Sequence, residues 1–119
     1  MYVVIVGAGE VGSTIAESLA DTHDVAVIDI DDGRVESLMY DTDVLGIQGD
    51  GTNLETLVEA DVGKADIIIA STDDDQTNLV TCSTTMTLTD AFTISRVKNA
   101  KFLRTWQRST GAFGIDHMV

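Results

Sequence analysis

The sequence of 119 residues contains no proline, a single cysteine and few aromatic side chains. Cys82 has no second cysteine with which to form an internal disulfide, which favours a reducing compartment. No apolar run approaches the length that spans a bilayer, and no basic segment precedes the first apolar run as it would in a signal peptide. We therefore expect a cytoplasmic chain that does not insert directly into a membrane.

Positive charge is also scarce, because 7 Lys and Arg residues stand against 20 Asp and Glu residues, for a net charge of −13. This balance excludes a nucleic-acid partner, which would require a basic surface. A dense carboxylate surface is compatible with a salty cytoplasm, since in molar salt the repulsion between carboxylates is screened over a distance of about 3 Å. We interpret the charge as halophilic adaptation; an ordinary acidic domain is the alternative.

The few bases are unevenly placed, because residues 96–119 hold five of the seven and only one acid. Lys101, Arg104 and Arg108 recur at helical spacing and predict a basic helix face. We expect this face to meet the acidic surface of a second copy, giving a dimer or a larger ring, although it could simply be solvated. Three neighbouring aromatics would contribute to that interface or pack on their own sheet: Phe102, Trp106 and Phe113.

The first thirty residues have the pattern strand, glycine turn, helix, strand, acid. The apolar run YVVIV is followed at once by GAGEVG, and Val11, Ile15 and Leu19 then recur as on one helix face. A second apolar run over residues 25–30 carries Asp29 near its end. A GxGxxG between a strand and a helix, with an acid about 20 residues on, indicates a nucleotide-binding βαβ unit.

Each position of this motif has a physical role. Gly7 allows the tight turn, Gly9 lets a diphosphate approach the backbone, and Gly12 lets the helix pack closely on the strands. The helix that begins near Glu10 directs unpaired N–H groups at the phosphates. Asp29 is placed to accept hydrogen bonds from ribose hydroxyls and would repel a 2′-phosphate, which favours NAD over NADP. The alternative is a compact corner with no ligand.

Strand and helix signals alternate along the whole chain, which predicts one α/β domain over residues 1–119. We expect a Rossmann-like three-layer fold with a six-stranded parallel sheet in the order 3-2-1-4-5-6. The predicted strands cover residues 2–6, 25–30, 43–48, 65–70, 92–97 and 113–119. The first predicted helix begins near residue 10. The others cover residues 32–40, 75–88 and 101–108, with a short helix at 54–58.

Polar residues follow the later strands, where the topology places a ligand. We expect Asp50 and the backbone of Gly51 to meet an adenine edge, and Ser71, Thr72 and Asp73 to line the ribose and diphosphate. Turn and capping chemistry is the alternative for each. The predicted nucleotide site comprises Gly7, Ala8, Gly9, Glu10, Val11, Gly12, Asp29, Asp50, Gly51, Thr52, Ser71, Thr72, Asp73, Asn78 and Arg96.

The chain resembles the nucleotide-binding domain of TrkA-type potassium-uptake regulatory proteins, in the RCK/KTN family. The resemblance rests on VVIVGAGEVGSTIAESL, VIDID, VLGIQGDGTN, ADIIIASTDDDQTNLV, ISRVKN and GIDHMV. It implies a cytosolic regulatory subunit that binds NAD(H) or adenine nucleotides and docks on a membrane potassium-transport subunit. ATP-sensing relatives tend to carry an arginine in the glycine loop, whereas this chain has Glu10. We therefore expect NAD or NADH, with ATP or ADP as the alternative.

Such proteins usually continue into a second, ligand-sensing domain, which we expect to be absent from this chain. A small NAD-dependent oxidoreductase is an alternative function, but it would need a proton-transfer group near the nicotinamide. The candidates His23, His117 and Cys82 are poorly placed, and no metal-ligand spacing is present. We therefore expect a sensor rather than an enzyme; a structural assembly module with a vestigial pocket is a further alternative.

Overall fold

The computed structural model describes residues 1–109 and 112–119. Strands and helices alternate along the chain. The strands are β1 Tyr2–Val6, β2 Asp24–Asp29, β3 Leu45–Gln48, β4 Ile67–Ala70, β5 Phe92–Ser95 and β6 His117–Met118. The helices are α1 Glu10–Leu19, α2 Asp32–Asp41, α3 Leu54–Glu59, α4 Asp75–Thr85 and α5 Ala100–Arg108, with 3₁₀ turns at Val62–Lys64 and Ala112–Gly114.

The six strands form one parallel sheet in the order β3-β2-β1-β4-β5-β6, which confirms the predicted topology. The central strand β1 is buried on both faces, as an apolar run without alternation predicts. Val3 and Ile5 pack with Ala16 of α1 and Leu38 of α2 on one face. The opposite face of the same strands packs with α3, so helices cover both sides of the sheet.

The buried face of α1 agrees with the predicted one in part. Ile15 and Leu19 pack against the core as predicted, whereas Val11 is 39% exposed, and the fully buried residues of the helix are Gly12 and Ala16. Small side chains let the helix axis approach the sheet, so the helix is buried along its glycine and alanine stripe and Val11 faces the cleft described below. In α2, Val35 and Leu38 are buried, whereas Met39 is 46% exposed.

Helix α4 and strand β6 are shorter than predicted. Helix α4 ends at Thr85 instead of Leu88, and β6 spans two residues instead of residues 113–119. Phe113 has a φ of +62°, which is incompatible with a strand, and the chain there forms a 3₁₀ turn. This turn brings the Phe113 carbonyl to the Ser83 hydroxyl of α4, 3.0 Å away.

The aromatic side chains near the C terminus pack on their own domain, which is the alternative given above for these residues. Phe102 and Trp106 of α5 contact a core cluster that includes Leu79 and Met118. The indole N–H of Trp106 donates to the carbonyl of Ile115 at 2.8 Å. Lys101, Arg104 and Arg108 remain exposed on the outer face of α5. Among the described residues, no helix is both long and apolar enough to cross a membrane.

Candidate functional site

A cleft of about 540 Å³ opens at the carboxyl ends of the strands, where the sheet order reverses between β1 and β4. This is where open parallel sheets bind ligands. Its walls come from the glycine loop, the ends of β2 to β5 and the first turns of α1, α2 and α4. The lining residues are Val6, Gly7, Gly9, Glu10, Val11, Ile28, Asp29, Ile30, Arg34, Gly49, Asp50, Gly51, Ser71, Thr72, Asp73, Asp74, Thr77 and Arg96.

Asp29 holds the glycine loop against the end of β2. Its Oδ2 accepts the backbone N–H of Ala8 at 2.7 Å, and its Oδ1 accepts the N–H of Asp31 at 2.8 Å. The side chain is half-buried and lines the cleft. Each carboxylate oxygen keeps a second lone pair, so the same group can still accept hydrogen bonds from a ligand hydroxyl. Asp29 therefore has a structural role that the sequence motif did not reveal.

Two of the three motif glycines are required by the protein itself. Gly7 has a φ of +111°, and a Cβ there would stand 3.0 Å from the backbone nitrogen of Thr72. A Cβ on Gly12 would stand 1.7 Å from the carbonyl oxygen of Gly7, so only glycine lets α1 approach the loop. Gly12 is buried behind the loop and does not line the cleft. It supports the site by packing, as the motif predicts.

Gly9 differs from the other two motif glycines, because nothing in the protein requires it. Its φ is −73° and its ψ is −164°, which any residue adopts. A Cβ built on Gly9 would project into space, and its nearest neighbour would be the Arg34 Nη1 at 3.7 Å. The space beside the Gly9 backbone is therefore open to a ligand, and a side chain would fill it.

The N terminus of α1 faces this open space without a side-chain cap. The other four α-helices each have a capping side chain that accepts a backbone N–H, from Asp31, Asn53, Asp74 and Asn99. Helix α1 begins after Gly9, which has no side chain to offer. Its first N–H groups and the positive end of its dipole are thus available to an anion.

The loop after β3 is held by Asp50. Its Oδ1 accepts both the backbone N–H of Thr52 at 2.9 Å and the Thr52 hydroxyl at 2.7 Å. These two hydrogen bonds hold the pKa of Asp50 below its ordinary value. Asp50 and Gly51 line the cleft, whereas Thr52 lies outside it and bonds back to Asp50. A Cβ on Gly51 would stand 2.3 Å from Val6 Cγ1, so this loop lies close against β1.

Asn78 is a correction to the predicted set of ligand contacts. It is fully buried and does not line the cleft. Its Oδ1 accepts the Thr72 backbone N–H at 3.0 Å and the Thr72 hydroxyl at 2.6 Å. Its Nδ2 donates to the carbonyls of Thr72 at 3.1 Å and Arg96 at 2.9 Å. The amide therefore joins the ends of β4 and β5, which positions Thr72 rather than a ligand.

The cleft carries more negative than positive charge. Five carboxylates line it, from Glu10, Asp29, Asp50, Asp73 and Asp74, against the guanidinium groups of Arg34 and Arg96. Arg96 is already paired, because its Nη1 lies 3.2 Å from Asp73 Oδ1. Two hydrogen bonds from Thr77 lower the pKa of Asp74 below its ordinary value. An anionic ligand here depends on backbone N–H groups and on these two arginines.

The predicted site and the observed cleft overlap closely. Four predicted residues lie outside the lining: Ala8, Gly12, Thr52 and Asn78. The other eleven line it, and the cleft adds Val6, Ile28, Ile30, Arg34, Gly49, Asp74 and Thr77. Most of the additions are strand ends and first helical turns next to predicted residues, so counting outward from each strand end would have found them. Arg34 could not be found in this way, because its backbone belongs to α2 and its long side chain reaches the cleft from there.

The candidate proton-transfer groups lie away from this cleft. His23 lies at the amino edge of the sheet, where Nδ1 is 3.2 Å from the N-terminal amine. His117 is exposed on β6 and packs edge-on against Trp106. Cys82 is buried in α4, and burial raises the pKa of its thiol to about 12, so it is a poor nucleophile. None of the three lines the cleft.

Fold and cleft together define a Rossmann-like α/β domain with an open cleft at its switch point. The sequence model of the TrkA-N domain matches residues 3–119, and the chain belongs to that family. It is 36% identical over 120 residues to the Trk system potassium uptake protein TrkA homolog of Methanothermobacter thermautotrophicus, covering all of this chain and 54% of that protein. Identity to TrkA of Haemophilus influenzae is 31% over 123 residues, covering 27% of that protein.

The chain thus spans about half or less of the length of these curated relatives. Solved structures share its fold. The TrkA-N domain of the inner membrane protein ybaL from Escherichia coli superposes with a TM-score of 0.87 at 22% identity, covering 99% of this chain and 85% of that one. The GsuK channel bound to NAD gives a TM-score of 0.84 at 21% identity, covering 99% of this chain and 21% of that one.

Proposed function

We propose that this chain is the nucleotide-binding part of a regulatory subunit of a potassium-uptake system. It binds NAD or NADH in the cleft, and binding controls a membrane potassium-transport subunit on which the domain docks from the cytoplasm. Family membership and the TrkA relatives support the regulatory role. Structures of the GsuK channel bound to NAD and to ADP support an adenine nucleotide as the ligand.

The observation that carries the proposal is the open space beside Gly9, at the uncapped N terminus of α1. A diphosphate fits this space because N–H groups line it and no side chain fills it. Asp29 would hold the ribose hydroxyls, and Asp50 with the Gly51 backbone would meet the adenine edge. Ser71, Thr72 and Asp73 would line the far side of the dinucleotide.

Calorimetric titration with NADH, NAD, ATP and ADP in potassium chloride tests this proposal. We expect saturable binding of NADH that is tighter than that of ATP. A chain that takes up none of the four would contradict nucleotide sensing and favour the structural assembly module. Potassium transport through the partner subunit should then respond to the bound nucleotide.

A small NAD-dependent oxidoreductase is the second candidate, and the same cleft would serve it. The side chains near the cleft argue against it, since the described histidines and Cys82 lie outside the lining. Incubation of the domain with NADH and small carbonyl compounds distinguishes the two functions. Consumption of NADH would support the enzyme, and nucleotide-dependent transport without consumption would support the sensor.

We expect Glu10→Arg to raise ATP affinity about tenfold, the low end of what hydrogen bonds to charged groups contribute. Glu10 is exposed in the first turn of α1 and lines the cleft where a third phosphate would extend. NADH affinity should change far less. Glu17→Arg is the matched control, because Glu17 is exposed on the same helix but outside the cleft. An equal gain in ATP affinity in both variants would mean that the net charge of the domain, rather than the position of Glu10, selects the ligand.

We also propose that the domain self-associates through the outer face of α5. The exposed Lys101, Arg104 and Arg108 have no ion-pair partner within residues 1–109 and 112–119, although the surface is rich in acids. We expect Lys101→Gln with Arg108→Gln to weaken self-association a few-fold, since exposed pairs contribute roughly 0.2–1 kcal/mol each. Nucleotide affinity should be unchanged.

Sedimentation at several salt concentrations measures this effect. Lys64→Glu is the control, because it changes the net charge by the same amount at an exposed site elsewhere. If the double variant and the parent form the same oligomer, or if the control weakens it equally, the α5 face is solvated and the interface lies elsewhere. The halophilic origin inferred from the charge stays a prediction.

A further inference from the structure

We propose that Arg34 binds the diphosphate of the nucleotide through its side chain and is thereby a specificity-determining residue of the cleft. The proposal rests on the proposed nucleotide-binding function. Arg34 lies outside the glycine motif and outside the segments that follow β3 and β4, so the sequence pattern does not indicate a role for it. The structure brings it to the cleft from the first turn of α2.

The position of the guanidinium carries the argument. Arg34 Nη1 lies 3.7 Å from the point where a Cβ would stand on Gly9, which is the open space beside the glycine loop. The side chain lines the cleft and is 53% exposed. An atom of a ligand that approaches the Gly9 backbone would therefore come within reach of Arg34.

The guanidinium is available to a ligand because its own protein contact is weak. Among the described residues its ion-pair partner is Asp31, whose Oδ2 lies 3.8 Å from Nε, too far for a hydrogen bond. Asp31 is instead engaged as the N-cap of α2, where its Oδ1 accepts the Arg34 backbone N–H. The cap fixes the base of the arginine, and the terminal nitrogens extend toward the loop.

The charge of the cleft gives this arginine its importance. The other lining arginine, Arg96, is engaged with Asp73, and the loop itself carries Glu10. Arg34 is thus the cation that can offset the repulsion between the lining carboxylates and a diphosphate. A guanidinium also presents paired N–H groups that match two phosphate oxygens, which an ammonium group does not.

Titration of Arg34→Gln with NADH, ADP and adenosine tests the assignment. We expect affinity for NADH and ADP to fall about tenfold, and adenosine, which has no phosphate, to bind as it does to the parent. Arg34→Lys should recover part of the loss. Lys64→Gln is the matched control, since Lys64 also pairs with an aspartate three residues earlier, is 79% exposed and lies at the other edge of the sheet.

Four results would overturn the assignment, and each has a distinct meaning. Equal losses in Arg34→Gln and Lys64→Gln would show an effect of overall charge. An equal loss for adenosine and ADP would place Arg34 against the base or ribose. Unchanged affinity for NADH and ADP would leave the nucleotide function standing without Arg34. A parent chain that binds neither NADH nor ADP would remove the proposed function itself.

Discussion

The Gly9→Val variant is expected to lose nucleotide binding and to keep its fold. A valine at this position places its side chain in the open space beside the glycine loop, where the diphosphate would lie. We expect affinity for NADH to fall more than about a hundredfold, or about 3 kcal/mol. The backbone at Gly9 is extended with a negative φ, which valine can adopt, so stability should fall by no more than about 1 kcal/mol, as for a changed N-cap residue.

Calorimetry and thermal unfolding together check this result. Gly63→Val is the control, because Gly63 also has an ordinary φ and a Cβ there would meet nothing nearer than the Leu88 carbonyl at 3.8 Å. It should bind NADH as the parent does. Retained binding by a folded Gly9→Val variant would show that the phosphates do not lie on this loop.

The Asp29→Ala variant is expected to bind NADH more weakly by about 1.5–3 kcal/mol, the scale of hydrogen bonds to a charged group. Two losses contribute, because Asp29 would contact the ribose and also anchors the loop through the N–H groups of Ala8 and Asp31. Some thermal stability should be lost with the loop contacts. The strand end is not core, so the domain should remain folded.

The ratio of NADPH to NADH affinity separates the two roles of Asp29. A loosened loop weakens both ligands equally, whereas loss of a carboxylate beside the ribose favours the ligand with a 2′-phosphate. We expect the ratio to rise in Asp29→Ala. The ratio should stay constant in the control variant Asp66→Ala. Asp66 lies at the opposite end of the strands, where its carboxylate accepts the Tyr2 N–H at 2.8 Å. A constant ratio in both variants would exclude the ribose contact.

Much of the fold was predictable because its central strands are apolar and helices alternate with them. Run length located β1 to the residue, and the glycine motif placed the start of α1 near Glu10, where the helix begins. Boundaries failed where tertiary contacts decide them. The 3₁₀ turn at Phe113, for example, depends on contacts with α4. The burial of Gly12 and Ala16 was also not predictable from hydrophobic periodicity, because it follows from the close approach of α1 to the sheet.

The site was predictable where backbone position alone brings a residue to the sheet edge, as for Gly9, Asp50 and Thr72. The site was not predictable where the direction of a side chain decides whether that residue lines the cleft. Asn78 lies one turn into α4, yet its amide turns inward to join two strand ends. Arg34 belongs to a different helix from the glycine motif, and its long side chain reaches back to the loop.

Mapping the backbone amide signals of the domain by NMR during titration with NADH tests directly whether the nucleotide binds in the cleft. We expect the shifts to concentrate at residues 7–12, 29–34, 49–51 and 71–73, which surround the cleft at the carboxyl edge of the sheet. Shifts confined to the opposite edge around His23 and Asp43, or no shifts at saturating NADH, would contradict binding in the cleft.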